Sequence, residues 1–596
     1  MKAIVLAAGL GARMRPITDT LHKSLVSVGG TTILGRIVDG LLGIDVRDIL
    51  VVTGYLAPQV RGWLHEHYPD IAFDFVHNAR YAETNNIVSL AMALEHLKLD
   101  DDVILVECDV LFDPTVLRRL TSPERGNIAL VDRYRPGMDG TVVAVADGMI
   151  TQVFPPHLQG EDFDYRDKYK TLNVYRFDGE FCRTRFQPLL SCYANVIDSG
   201  VYYELVLGML INMQRERVRA EVVDGDRWTE VDDPNDLAVA RFVFEPARRL
   251  EILERAFGGH WNFDVLDFTF MRNMYYPTDA MIAAMRRALP ALARNYGSTQ
   301  RVLNGKLALA LRSDSARVQC LHGAAQVFPL LPELLGARTV LLPEPTFGEF
   351  PRWFPRHETY ADAVGVDREA LAARAGAFDL VVIVNPNNPT GTTLPTAWLH
   401  ALAARHPRTT FLVDESFIDF SGEASLRARL DREPLPNVLV IASLSKSLGV
   451  PGLRLGYAYT CDARLHEAIG ARVPIWNLGA PAEFFLELLL KFQPELAASL
   501  ERTAADREDF AERLARVPGV TAVHAGGGNF LLARLAGTDT ARVRRLVERL
   551  LTRESIYVKD VSAKLRAPSL RLAVRKPVEN QRLVDALGAH LGDPAL

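Results

Sequence analysis

Short runs of β-branched residues recur along this chain in two separate series, and each run leads into a longer stretch whose apolar residues have helical spacing. That rhythm belongs to sheets covered by helices on both faces, and it predicts a parallel sheet in each series. In the first series, strands are expected at Ala3–Leu6, Ile49–Val52, Val103–Glu107 and Ile128–Val131. In the second they are expected at Val340–Leu342, Leu380–Val384, Phe411–Val413, Val438–Ala442 and Gly456–Tyr459. Between the series, Val239–Phe257 carries Arg248, Arg249, Glu251, Glu254 and Arg255 among scattered apolar positions, which predicts one amphipathic connecting helix. The expected fold class is α/β, with domains at 1–245 and 259–596 joined through 246–258. A chain of 596 residues is long enough for two such domains.

Composition removes several classes of function. Sixty-eight Lys plus Arg against 73 Asp plus Glu leave a net charge of −5, so there is no cationic excess to neutralise a polynucleotide. No apolar stretch reaches the roughly 18 to 20 residues that would cross a bilayer. Near the N-terminus, Gly9 and Gly11 interrupt the apolar run and Arg13 and Arg15 follow, so this segment is expected to be strand and turn rather than a signal peptide. The five cysteines, Cys108, Cys182, Cys192, Cys320 and Cys461, form no Cys-x-x-Cys pair and suggest a reducing compartment without a zinc site. A cytoplasmic protein with neither nucleic-acid nor membrane partner is the expectation.

Leu6-Ala7-Ala8-Gly9-Leu10-Gly11-Ala12-Arg13-Met14-Arg15-Pro16 follows the first strand. Small residues there let backbone N–H groups approach a triphosphate, making Leu6, Ala8, Gly9 and Gly11 candidate nucleotide contacts. Arg13 and Lys23 are candidate catalytic cations for the phosphate charge. The spacing is neither a Rossmann fingerprint nor a Walker loop, because no Gly-Lys-Ser/Thr follows. Such chemistry commonly uses Mg²⁺ held by a few carboxylates. Asp109, just beyond the strand Val103–Glu107, and Asp232, in Trp228-Thr229-Glu230-Val231-Asp232-Asp233-Pro234, are the candidate ligands. Taken singly, they read equally as a turn residue and a helix cap.

The run from Leu6 to Lys23 resembles the signature of the sugar-phosphate nucleotidyltransferase superfamily, whose members join an NTP to a phosphorylated substrate and release pyrophosphate. Tyr81-Ala82-Glu83-Thr84-Asn85-Asn86-Ile87-Val88-Ser89-Leu90 and Lys170-Thr171-Leu172-Asn173-Val174-Tyr175 resemble the branch that contains phosphocholine and phosphonate cytidylyltransferases. This resemblance implies a nucleotidyltransferase Rossmann-like domain and CTP as the nucleotide. It also implies Asn85 and Asn86 among the nucleotide contacts, and the Glu-hydrophobic-Asp pattern places Asp232 beside Asp109 on Mg²⁺. For the acceptor's phosphonate or phosphate, Lys170 is the favoured cation and Lys168 the alternative.

In the second half, Ser443-Leu444-Ser445-Lys446-Ser447-Leu448-Gly449-Val450-Pro451-Gly452-Leu453-Arg454 sets one lysine among hydroxyls, glycines and an arginine. Such surroundings suit a lysine that bonds covalently to a cofactor aldehyde beside a phosphate. Asp414 closes the run Phe411–Val413, where a buried carboxylate can pair with a pyridine nitrogen. Asn385-Pro386-Asn387-Asn388-Pro389-Thr390-Gly391 forms a rigid turn after another strand. Together these resemble fold-type I PLP-dependent transferases of the aspartate aminotransferase superfamily, near histidinol-phosphate aminotransferase and threonine-phosphate decarboxylase.

That resemblance assigns pyridoxal 5'-phosphate to Lys446, its pyridine nitrogen to Asp414 and its ring hydroxyl to Asn388. Ala324 and Ala325, at an expected helix N-terminus, would hold the phosphate with Ser443, Ser445 and Arg454, and Phe347 would stack on the ring. Arg571 matches the arginine for the substrate carboxylate. Arg575 is either a second anion contact or a solvent-facing charge. Asp414-Glu415-Ser416-Phe417 has phenylalanine where histidinol-phosphate aminotransferases have tyrosine, a variant similar to threonine-phosphate decarboxylase. The family also implies a homodimer built through this domain.

The pair of domains resembles bifunctional enzymes of phosphonate-antibiotic biosynthesis. The function it implies is transfer of CMP from CTP to an amino-phosphonate such as 2-amino-4-phosphonobutyrate, then decarboxylation of the CMP-linked amino acid to CMP-linked 3-aminopropylphosphonate. The alternative is a cytidylyltransferase fused to an aminotransferase acting on aminoethylphosphonate or a related phospho-amine.

Overall fold

A computed structural model describes residues 1–122, 126–135, 137–160, 162–363, 365–537 and 539–593. The chain divides into two compact units, Met1–Phe263 and Asp264–Leu596. Among the described residues, no helix is long and apolar enough to cross a membrane.

The first unit is built on a nine-stranded sheet. Its strands are β1 (Lys2–Ala7), β2 (Asp48–Thr53), β3 (Phe73–His77), β4 (Val103–Glu107), β5 (Asn127–Arg133), β6 (Val142–Ala146), β7 (Met149–Phe154), β8 (Lys168–Phe177) and β9 (Val218–Val222). Their order is β3-β2-β1-β4-β8-β5-β9-β7-β6. Along β1, Ala3, Val5 and Ala7 join one core while Ile4, Leu6 and Ala8 join another, as the two-residue repeat of a strand buried on both faces requires.

The sheet is mixed rather than wholly parallel. β1 to β4 run parallel, but β8 is antiparallel to both β4 and β5, and β7 is antiparallel to β9 and β6. The expected single connecting helix is two, Pro234–Phe244 and Arg249–Ala256, separated by a 3-10 turn at Pro246–Arg248. Pro246 has no N–H to continue the first helix, which ends at Phe244 with Glu245 as its C-cap. Both helices belong to the first unit.

The second unit carries a seven-stranded sheet of β10 (Val318–His322), β11 (Val340–Glu344), β12 (Glu358–Ala361), β13 (Leu380–Val384), β14 (Thr410–Asp414), β15 (Val438–Ser443) and β16 (Leu455–Thr460). The order is β10-β16-β15-β14-β13-β11-β12. From β15 to β12 the strands are parallel; β16 is antiparallel to both of its neighbours. Val381 and Ile383 pack into one core and Leu380, Val382 and Val384 into the other, so chemistry is confined to the strand ends. A separate four-stranded antiparallel sheet contains Phe530–Leu535 and Ser569–Ala573.

Ala324 opens a 3-10 turn, Ala324–Gln326, instead of the expected helix. A second 3-10 turn, Phe328–Leu330, and a short helix, Leu331–Leu335, follow. Pro329 and Pro332 remove two N–H donors from this stretch, which prevents one continuous helix.

Candidate active sites

In the first unit, the C-terminal ends of β1 and β4 border a cavity of about 570 Å³. Leu6, Ala8, Gly9, Gly11, Arg13, Lys23, Asn85, Asn86, Asp109, Lys170 and Asp232 all line it. Gly11 is left-handed, with φ 61°, and a Cβ there would lie 3.1 Å from Thr18 Cγ2 and 3.3 Å from Lys23 Cβ. A side chain at position 11 would therefore be strained and would crowd the lysine.

Asp109 and Asp232, remote in sequence, meet because the strand Trp228–Glu230 pairs antiparallel with Val110–Phe112 and the Val231 N–H donates to Asp109 O at 2.7 Å. Asp232 is not the helix cap. Asp233 caps Pro234–Phe244 in a capping box with Asp236, a feature that stabilises a helix by about 1 kcal/mol. Asp236 also accepts from the Asp232 N–H at 2.9 Å, so the cap fixes Asp232's backbone and leaves its carboxylate to the cavity.

Lys23 bridges the acids: Nζ lies 2.6 Å from Asp232 Oδ1 and 3.6 Å from Asp109 Oδ2. Arg13 Nη2 reaches Asp232 Oδ2 at 2.7 Å. Burial opposes the charge on Lys23, but Asp109 and Asp232 outweigh it and hold its pKa above the ordinary value. Burial likewise works against ionised Asp232, yet Lys23 and Arg13 keep that carboxyl below the usual range.

Asp109 Oδ1 is buried with no hydrogen-bond partner, an arrangement that suits a ligand atom awaiting a cation. Among the described residues no cluster of three or more His, Cys, Asp or Glu could by itself enclose a metal. Two carboxylates fit Mg²⁺, which takes few protein ligands and completes its octahedron with water and phosphate oxygens.

Asn85 and Asn86 line the cavity, but their amides are engaged within the protein. Asn85 Nδ2 donates to Gly200 O at 3.2 Å and its Oδ1 accepts from Asn86 N at 2.9 Å. Asn86 accepts from Tyr203 N at 3.0 Å and donates to Glu107 Oε1 at 3.3 Å. Through these bonds the pair also seats the 200–204 loop beside the cavity it lines. Lys170 is fully buried and donates to Glu230 Oε1 at 2.6 Å and to Thr171 O at 2.7 Å.

In the second unit, Lys446 follows β15 and Asp414 ends β14. Burial, then Arg571 and Arg454, push the Lys446 amine down to about 8, with Asp414 opposing. Asp414 Oδ1 accepts from Ser416 N at 2.9 Å and Ser416 Oγ at 2.6 Å, while Ser416 Oγ accepts from Ser443 N at 2.9 Å. The Asn273 N–H donates to Lys446 O at 2.8 Å, and its side chain donates to Ser447 O at 2.9 Å, so this residue locks the lysine's backbone.

Arg571 Nη1 donates to Asn388 Oδ1 at 2.8 Å and Nη2 to Thr269 O at 2.6 Å, leaving a buried Nε with no partner. Ser445 Oγ is also buried without a partner. Gly323, with φ 72°, faces Arg454: a Cβ there would stand 2.5 Å from Nη2, so only glycine leaves room for the guanidinium. Phe347 is part-exposed and meets Phe328 edge-on at 6.0 Å.

Arg575 is not solvent-facing, and its Nε is buried without a hydrogen-bond partner. It is buried, pairs with Glu579 at 2.7 Å and donates to Asp267 O at 2.8 Å. Its charge is already matched inside the protein.

The family model for aminotransferase class I and II matches residues 262–587, and the MobA-like NTP transferase domain matches residues 3–158. The chain is 34% identical over 610 aligned residues to CMP-5'-(3-aminopropyl)phosphonate synthase from Streptomyces rubellomurinus, covering 100% of this chain and 96% of that protein. The chain belongs to the CMP-5'-(3-aminopropyl)phosphonate synthase family.

As a member of this synthase family it joins an N-terminal nucleotidyltransferase domain to a C-terminal fold-type I pyridoxal-phosphate domain. The second half is also similar to L-serine phosphate decarboxylase from Sulfurospirillum multivorans, at 28% identity over 50% of this chain and 80% of that one. A solved decarboxylase from the same organism superposes with a TM-score of 0.51 at 25% identity, covering 58% of this chain and 92% of that one. The orphaned Ser445 hydroxyl, the Gly323–Arg454 cradle and a lysine of weakened basicity fit pyridoxal phosphate.

The residues missed by sequence reading are the acids Glu107, Glu204 and Glu230 of the first unit's cavity, and Asn273 in the second unit. Only Glu230 had a local signal, the alternation in Glu230-Val231-Asp232.

The Lys446 shift sets a pH dependence. An amine must be neutral to attack an aldehyde, and burial with Arg571 and Arg454 pushes this one down to about 8. Capture of pyridoxal phosphate by cofactor-free protein, followed by its visible absorption, is expected to accelerate as pH rises and to level off above about 8. Acceleration continuing toward pH 10 would contradict the depressed value.

Proposed function

We propose that the chain transfers CMP from CTP to 2-amino-4-phosphonobutyrate and then decarboxylates the CMP-linked amino acid. The observation that carries this reading is similarity across both halves to a relative named for a CMP-aminopropylphosphonate product. The decarboxylase name of the second-half relative supports loss of CO₂ over transamination. The same reading takes the chain as a homodimer.

In the first reaction, a phosphonate oxygen attacks the α-phosphorus of CTP. The new P–O bond forms as the α–β bridge breaks, and pyrophosphate leaves with the bonding pair. The small residues Ala8, Gly9 and Gly11 admit the triphosphate to backbone N–H groups, while Arg13 and Lys23 oppose its growing negative charge. Lys170 holds the acceptor phosphonate. Asp109 and Asp232 would hold Mg²⁺, which would supply charge neutralisation of the phosphates.

In the second reaction, the Cα–carboxylate bond breaks, CO₂ leaves and the electron pair remains at Cα until a proton arrives. Lys446, Asp414, Asn388, Ser443, Ser445, Arg454 and the backbone at Ala324 and Ala325 would hold pyridoxal phosphate, which would supply the electron sink. Lys446 Nζ, having taken a proton from the substrate's ammonium group, donates it to Cα. Arg571 holds the substrate carboxylate until it departs, using the buried Nε that has no internal partner.

Mass spectrometry of products from CTP, Mg²⁺ and 2-amino-4-phosphonobutyrate tests the reading. Pyrophosphate and a CMP conjugate that then loses CO₂ are expected. A requirement for a keto acid would mark transamination instead. Arg571→Lys keeps a charge but loses the planar fork, so KM for the amino acid is expected to rise about 10- to 100-fold with a smaller change in kcat. Unchanged KM would remove Arg571 from the substrate site.

A further inference from the structure

One wall of the first cavity is acidic in a way that its phosphate chemistry does not explain. Glu107, Glu204 and Glu230 all line it, although both ligands proposed for this cavity carry anionic phosphorus groups. Two of the three acids already have partners. Glu230 accepts from Lys170 at 2.6 Å and from Asn173 at 3.3 Å. Glu107 Oε1 accepts from Tyr203 OH at 2.9 Å and from Asn86 at 3.3 Å.

Glu204 differs. The residue is only 4% exposed, yet its Oε2 has no hydrogen-bond partner. It opens the helix Glu204–Asn212, and its place is fixed by Asn86, whose Oδ1 accepts from the N–H of Tyr203. Asn85 reinforces this: its side chain donates to Gly200 O and its backbone N–H donates to Ser199 O at 2.9 Å. A buried bare carboxylate oxygen is costly unless something cationic reaches it. Set against an anion alone, it would repel.

We infer that Glu204 receives the ammonium group of the acceptor, so that the cavity selects phosphonates or phosphates bearing a primary amine. The assignment rests on the cytidylyl-transfer reading above. Lys170 and Glu204 would then read the two ends of one zwitterionic acceptor, cation to phosphorus group and anion to amine. Burial pushes the Glu204 carboxyl up to about 7, against Lys170 and Asn86, as expected for an acid short of a positive partner.

The test uses the full-length holoenzyme, CTP and Mg²⁺, with pyrophosphate release measured for 2-amino-4-phosphonobutyrate and for its deaminated analogue, 4-phosphonobutyrate. The parent enzyme is expected to favour the amine by at least about 30-fold in kcat/KM, the effect of leaving one partner of a buried charge pair alone. Glu204→Gln should reduce that ratio to within about threefold of unity by slowing only the amine-bearing acceptor, with KM for CTP unchanged. Glu204→Asp should retain part of the preference, which a general loss of folding could not do. Equal use of both acceptors by the parent, or an undiminished ratio in Glu204→Gln, overturns the assignment and leaves cytidylyl transfer intact. Transfer to neither acceptor by the parent overturns the functional reading and the assignment with it.

Discussion

On the proposed function, Lys446→Ala is expected to end CO₂ release from the CMP-linked amino acid, with a loss of at least about 10³-fold, because it would remove both the covalent anchor and the proton donor at Cα. Pyrophosphate release from CTP should stay within about twofold of the parent, since residues that share no partners act nearly independently. Lys446 lies in the second unit, whose cores are separate from those of the first. The measurement is CO₂ evolution and pyrophosphate release on the same preparation. Loss of both activities in folded protein would overturn the two-site account.

The reciprocal result is expected of Asp109→Asn. The substitution preserves shape and disturbs no hydrogen bond at Oδ1, which has none, so the fold should be retained. It removes one of the two negative charges that flank Lys23 and that suit Mg²⁺. Pyrophosphate release should fall about 10²- to 10³-fold, the scale on which removal of a preorganised electrostatic group acts. CO₂ release from supplied CMP-linked amino acid should be unaltered. An unchanged nucleotidyl rate would remove Asp109 from that chemistry.

Much of the architecture was legible because strands buried on both faces are continuous apolar runs. Leu380–Val384 and Val103–Glu107 coincide with observed strands for that reason. β8 was not legible. Lys170, Thr171 and Asn173 put polar side chains into a buried strand, its pairing with β5 is irregular between Thr171 and Tyr175, and Asn173 has φ 58°. Strand periodicity fails where a strand carries a site.

The loop residues from Leu6 to Lys23 could be read locally, since small residues beside cations signal phosphate at short range. Asn85 and Asn86 could be located but not interpreted. Their amides bond to Gly200, Tyr203 and Glu107, and nothing near position 85 encodes partners so distant in sequence. The same remoteness concealed Glu204. Arg575 was ambiguous because its match, Glu579, lies one helical turn away and could equally have faced water.

Lys23 stands between two carboxylates that would otherwise repel each other. An internal counter-ion of this kind uncouples maturation from loading. On the proposed function, the nascent polypeptide would settle into its final shape before any nucleotide arrives, and an incoming divalent ion would inherit an electrostatic balance already struck by the chain itself.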